Sequence, residues 1–245
     1  MAPGHRFLVS SLMLLVLLPG CGGSETAGPV LGSPSDLDLS PRPDEEAEWA
    51  AVWLSGALAA PDDLYREIQR DLAAIRTAFR ETLPLVDSLH FHPTWSPDIR
   101  IEFLPAVREE IERGVYRDWD VLNSRFQLAE IDSVSRVPGS FCMTFSFTKR
   151  LHPLTLTQHY LELRGVSWVS YMPTGVYSTV FPLRAGGRRI YLFRNCIGLC
   201  AEREYWFFRV SEDGPEFAGY YDGSGEEPAW WDEVERGLLA VGTGG

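Results

Sequence analysis

An α+β fold is what this sequence predicts, and three observations carry it. Apolar residues recur at helix spacing between Pro61 and Thr82. They alternate at strand spacing in Ile99–Phe103 and again in Phe141–Phe147. Helix-like and strand-like stretches then follow one another as β-α-β-β-α-β across residues 98–172. The composition is globular, with 45% of the 245 residues hydrophobic and 23% charged. That excludes disorder throughout and a bundle of membrane helices.

The elements are justified in chain order. A short helix over Glu48–Leu58 comes first, with Trp49, Val52 and Trp53 on one side. In the long helix that follows, Leu64, Ile68, Leu72, Ile75, Phe79 and Leu83 form one apolar row. Pro61 suits its first turn, Asp62 and Asp63 favour its positive end, and Pro84 stops it. The strand Ile99–Phe103 alternates inward and outward. Helical stretches follow at Pro105–Arg113 and Trp119–Phe126, then a strand at Leu128–Val134 and a turn at Pro138-Gly139. In the next strand Phe141, Met143, Phe145 and Phe147 face one way, and Cys142, Thr144 and Ser146 the other. A helix over Thr155–Leu163 has Leu156, Tyr160 and Leu163 as its inner row, and Gly165 ends it before strand Val166–Tyr171. This order is the ferredoxin-like plan: four antiparallel strands with two helices on one face. Such a sheet keeps one covered face and one polar face.

Residues 188–222 read as an antiparallel β-meander: Arg189–Asn195, Glu204–Val210 and Phe217–Tyr221, with Asp213-Gly214 as the second turn. A last helix over 228–240 opens with Trp230-Trp231 and carries Val234 and Leu238. Asp232, Glu233 and Glu235 set it against anionic lipid, so it is expected to dock on the body. The expected organisation is therefore 1–20 as an export signal, 21–47 as a flexible acidic tether and 48–245 as one α+β domain.

Charge limits the partners. Lys plus Arg is 22 and Asp plus Glu is 34, for a net charge of −12. A chain this acidic is repelled by phosphate backbones, so no nucleic-acid role is expected. Arg184, Arg188 and Arg189 around Gly186-Gly187 read as a hairpin turn with solvated charges.

The N-terminus carries an address. An apolar run from Phe7 to Leu18 follows Arg6 and is too short to span a bilayer at about 20 residues per helix. Leu18-Pro19-Gly20-Cys21 then resembles the lipobox of bacterial lipoproteins. The resemblance implies removal of the signal after Gly20, diacylglyceryl transfer to Cys21 and anchoring in the cell envelope. Gly22 after the cysteine implies the outer membrane, facing periplasm or exterior. Two or three acyl chains hold a protein stably where one is marginal.

Two further resemblances are present. His92-Pro93-Thr94-Trp95-Ser96-Pro97, Gly114–Asn123 and Ile190–Cys196 through Tyr205-Trp206-Phe207-Phe208 resemble a group of uncharacterised secreted or lipid-anchored bacterial proteins, over residues 64–221. This implies a shared fold and export, and no activity. Residues 98–172, with Leu122-Asn123 before a strand and Leu163-Arg164-Gly165-Val166 leading into the last, also resemble the prodomain of subtilisin-type proteases. The acidic end of that pattern is missing from Tyr171-Met172-Pro173-Thr174. An inhibitor would need Met172–Gly175 exposed and extended.

Few residues point to chemistry. Cys196 and Cys200 are spaced to close a disulfide over a five-residue loop in an exported chain. Cys142 is then a single mid-strand thiol, the alternative being that it pairs with Cys196 or Cys200 and leaves the other free. His90 and His92 could share one side of an extended segment, as two metal ligands do, but no third ligand is adjacent. Asp118 or Asp120 is expected to cap the helix that follows. No nucleophile elbow, zinc-protease, P-loop or dinucleotide motif is present. No cofactor is expected, and an enzyme would have to gather His90, His92, Asp118 or Glu130 in one cleft. Tyr205, Trp206, Phe207 and Phe208 put large rings on both faces of one strand. Tyr205, Trp206, Phe208 and Tyr220 are therefore the candidate binding surface, for an envelope protein or a small ligand. A non-enzymatic lipid-anchored binding domain is the expected function; a prodomain-like protease inhibitor and an enzyme with an unrecognised site are the alternatives.

Overall fold

The chain enters its folded body earlier than its composition suggests. In a computed structural model that describes residues 40, 42–93, 95–133, 141–173, 179–198 and 200–242, helix α1 (Glu45–Ser55) takes in the last residues of the expected tether. Asp44 caps it, its Oδ1 accepting from the Ala47 amide at 2.9 Å, and Glu45, Glu46 and Glu48 lie in the positive first turn. Arg42 donates to the Ala60 carbonyl at 2.7 Å and fixes the entry. The export signal, Cys21 and most of the tether lie outside the described residues. Helix α2 (Asp62–Phe79) buries Ile68, Leu72 and Ile75, and the one-turn α3 (Leu85–Ser88) follows.

Two four-stranded antiparallel sheets then organise the mixed fold. The first contains β1 (Trp95–Phe103), then helices α4 (Pro105–Glu112) and α5 (Asp120–Arg125), then β2 (Leu128–Ser133) and β3 (Phe141–Phe147), then α6 (Pro153–Leu161) and β4 (Val166–Pro173). Its spatial order is β2-β3-β1-β4. Ile99, Ile101 and Phe103 of β1 and Phe141, Phe145 and Phe147 of β3 are buried together. Trp119 packs edge-on against Phe103 at 5.6 Å and Phe145 at 5.5 Å, and Tyr160 of α6 stands 5.5 Å from Phe145. Gly165 turns with φ +77°, and a Cβ there would run into the Val107 methyls of α4.

The second sheet contains β5 (Thr179–Ala185), β6 (Arg188–Ile197), β7 (Glu202–Ser211) and β8 (Gly214–Tyr221), paired in chain order, and helix α7 (Trp231–Gly242) follows. Strand β5 is unexpected. Pro182 argues against a strand, but β5 is an edge, where the missing N–H costs no ladder bond. The Gly186-Gly187 turn that joins it to β6 has both φ values positive, as a two-residue hairpin requires. On one face Val180, Tyr191, Phe193, Trp206, Phe208 and Val210 pack with α1 and α2. On the other, Leu183, Ile190, Leu192, Tyr205 and Phe207 pack with Val234, Trp230 and Trp231. Gly219 makes room there: a Cβ would collide with the Trp230 indole, which stacks on Phe207 at 4.9 Å.

The two halves meet around α1. Trp53 lies 5.9 Å from Phe91 and 5.8 Å from Phe181. The His152 amide donates to the Leu58 carbonyl at 2.9 Å. The Thr155 hydroxyl donates to the Gly56 carbonyl at 3.1 Å, and Arg150 pairs with Glu48 at 2.9 Å.

Candidate functional site

The expected aromatic surface is interior. Tyr205 and Trp206 are each 7% exposed and Phe208 is fully buried. The physical reason is the double cover: α1 and α2 lie on one side of β7, and Trp230 and helix α7 with Trp231 on the other. Only Tyr220, at 47% exposure, faces solvent, with its ring on Trp206 and its hydroxyl donating to Glu204 at 3.0 Å.

Other expected residues are placed plainly. Cys196 and Cys200 form a disulfide across the β6–β7 turn. Cys142 is a free, half-buried thiol on β3. His90 is held by Glu46, its Nδ1 lying 3.0 Å from the carboxylate, and Glu46 also accepts two bonds from Arg76 and one from the Phe91 amide. Burial raises the Glu46 pKa, but the hydrogen bond and charge of Arg76, with the bonds to His90 and the Phe91 amide, together outweigh it and leave the carboxyl below its ordinary value. His92 is exposed, and its amide donates to the Thr179 hydroxyl at 2.9 Å.

Neither Asp118 nor Asp120 caps α5. Trp119 occupies that position, Asp120 is the first helical residue, and Asp118 accepts from Arg164 at 2.8 Å. The same arginine reaches Glu110 at 2.7 Å, while its backbone carbonyl takes the Tyr116 hydroxyl at 2.6 Å. Burial pushes the Tyr116 hydroxyl up to about 12. Glu130 lies exposed on β2, opposite Ser146. His90 and His92 share the segment between α3 and β1, whereas Asp118 precedes α5 and Glu130 lies on β2, and no contact joins the four among the described residues. Among the described residues no three of His, Cys, Asp and Glu are grouped to hold a metal ion. Met172 and Pro173 belong to β4, with Pro173 paired to Trp95; Thr174 and Gly175 lie outside the described residues.

The surface that remains open is the outer face of the first sheet. Its register sets Trp168 of β4 opposite Glu102 of β1, and Glu102 opposite Cys142 of β3. The next row runs Ser170, Arg100, Thr144 and Asp132, with Glu130 and Ser146 paired beyond it. Trp168 is 48% exposed, and none of these side chains is buried. Opposite side chains on such a face stand about 5 Å apart at Cβ. Trp168 and Glu102 therefore present an aromatic ring and a carboxylate side by side. Arg100 has no ion pair among the described residues, and its Nε is buried without a hydrogen-bond partner there. Ring face, carboxylates, hydroxyls and one guanidinium can grip a ligand by stacking and hydrogen bonding. Trp168 is not singled out by the sequence, since Val166–Tyr171 reads V-S-W-V-S-Y without alternation, and the register that pairs Val169 with Ile101 turns Trp168 outward.

Comparison of the chain with protein-family models, with curated proteins and with solved structures finds no match. Among the described residues no helix is long and apolar enough to cross a membrane.

Proposed function

We propose that this chain is a lipid-anchored protein of the bacterial cell envelope whose folded body is a non-enzymatic binding domain, and that its first sheet with α4, α5 and α6 is a ferredoxin-like unit. The strand order β2-β3-β1-β4 and the placing of helices between β1 and β2 and between β3 and β4 support the fold reading. The lipobox-like Leu18-Pro19-Gly20-Cys21 supports the anchor. One observation carries the binding reading: the first sheet leaves a polar face uncovered, with Trp168 standing on it beside Glu102. A large aromatic ring left outside a fold that buries most of its others is a contact residue in waiting.

The test is cross-linking of a soluble form, Ser24–Gly245, to native envelope, read by mass spectrometry. A stoichiometric partner that is lost on Trp168→Ala supports the reading. An identical cross-linking pattern for wild type and variant overturns it, and a serine protease as the partner restores the inhibitor alternative. The anchor is tested separately: Cys21→Ala should abolish palmitate incorporation, and unchanged incorporation overturns it.

A further inference from the structure

We infer that a second site, separate from the open sheet face, lies between α1, α2, β5 and α7, and that it takes a small apolar molecule ending in a single carboxylate. A cavity of about 480 Å³ stands there, within the range of about 300–1,000 Å³ for small-molecule sites. Its walls are mostly apolar, formed by Leu54, Leu64, Ala240 and Val241. Gly237 of α7 lines it and lets the helix close onto β5, since a Cβ at that position would meet the Leu183 Cβ at 2.9 Å.

Among the described residues Arg184 is the one cation that lines the cavity. It is paired with Glu67, but Glu67 has a second arginine, Arg189, whose Nη1 lies 3.7 Å from its other oxygen. A ligand carboxylate can therefore compete with Glu67 for Arg184, because Glu67 keeps Arg189, which it shares with Asp71 at 3.4 Å. Helix α2 opens on Pro61 without a side-chain cap, so its first-turn amides add donors and positive potential at the same end. Asp63 also lines the cavity and opposes an anion. It is exposed, where water and salt screen it, and the single lining cation matches a ligand with one negative charge. The apolar body of the ligand would lie along Leu54, Leu64 and Val241.

Titration calorimetry of the full folded body with decanoate, decanol and decylamine tests this. Decanoate should bind, and more tightly than either of the others. Arg184→Gln should weaken decanoate at least tenfold and leave decanol unchanged, which a general loss of structure would not do. Ala240→Phe should fill the cavity and weaken decanoate and decanol together, with the melting temperature as the check on folding. Trp168→Ala should change none of these affinities, so failure here is distinguishable from failure of the open-face reading. Preference for decylamine, absence of decanoate binding, or an unchanged affinity in Arg184→Gln would each overturn the inference.

Discussion

The two sheets have the same number of strands and the same antiparallel pairing, and they differ in cover. The second is packed on both faces, between α1 with α2 and α7 with Trp230 and Trp231. Among the described residues the first is packed on one face only and presents Arg100, Glu102, Thr144, Asp132 and Trp168 on the other. The difference is written in the strands. Ile99-Arg100-Ile101-Glu102-Phe103 alternates, so one face must meet water. Tyr205-Trp206-Phe207-Phe208 does not alternate, so neither face can. A continuous run of rings in an antiparallel strand is thus a sign of double burial, and a single ring in a polar row is the better marker of a contact surface.

The comparison predicts its own largest contrast. Phe208→Ala removes a fully buried ring that packs on Phe193 at 5.1 Å and Phe79 at 5.2 Å. It should cost about 3–5 kcal/mol in urea unfolding. Trp168→Ala, although it deletes a larger side chain, should stay within about 0.5 kcal/mol. A Trp168→Ala cost near that of Phe208→Ala would mean that the first sheet is covered after all.

Within the second sheet the β6–β7 turn is closed by Cys196 and Cys200. Cys200→Ser should cost about 2 kcal/mol on the loop-entropy relation for a five-residue loop. Reducing agent should lower wild-type stability by the same amount and leave the variant unchanged. Gly165→Ala sharpens the first sheet in the same way. Its positive φ and the Val107 contact both oppose a side chain, and a loss of about 1–3 kcal/mol is expected from strain and overpacking. A loss well below that in denaturant titration would show that α4 is free to shift.

Much of this contrast is legible in the amino-acid sequence. The apolar row of α2 and the alternation of β1 and β3 place the covered faces, because burial on one side leaves a period. Where burial is two-sided the period vanishes. Strand β5, with Val180, Phe181, Pro182 and Leu183 all buried, carries neither alternation nor an obvious strand sequence, and it goes unseen. Asp118 looks like a cap by position and becomes the partner of Arg164, a residue 46 positions away that no local rule reaches. The cavity is illegible for the same reason. Leu54, Leu64, Arg184 and Val241 come from four elements, and only the closing of α7 onto β5 brings them together.

The smallest effect tests whether the two sheets share one stability. His152 stands at their junction, buried beside Trp95 at a ring distance of 5.0 Å, and burial holds its pKa down to about 4 from an ordinary 6.5. A folded-state pKa below the unfolded one means that the folded protein binds fewer protons across that interval. The stability this group supports is therefore full above about pH 6.5 and falls as the pH drops toward 4. Glu46, with its pKa lowered, acts with the same sign but only as the pH falls through 4.5 and below. Asp71 acts oppositely, since burial, ahead of its bond from Tyr191, raises its pKa and favours the protonated folded state in acid. His159, lowered by burial and then by Arg125, contributes in the same window as His152. His152→Phe keeps a ring against Trp95 and should change stability by less than about 1.5 kcal/mol at pH 7. It should also flatten the pH dependence of unfolding between 6.5 and 4.5, leaving the part due to His159 and the Glu46 limb below 4.5. If tryptophan fluorescence and far-ultraviolet dichroism lose that slope together, the sheets unfold as one unit across the α1 junction. If the slope disappears from one probe and persists in the other, the open sheet and the covered sheet are separately stable, and the contrast between them extends from their faces to their folding.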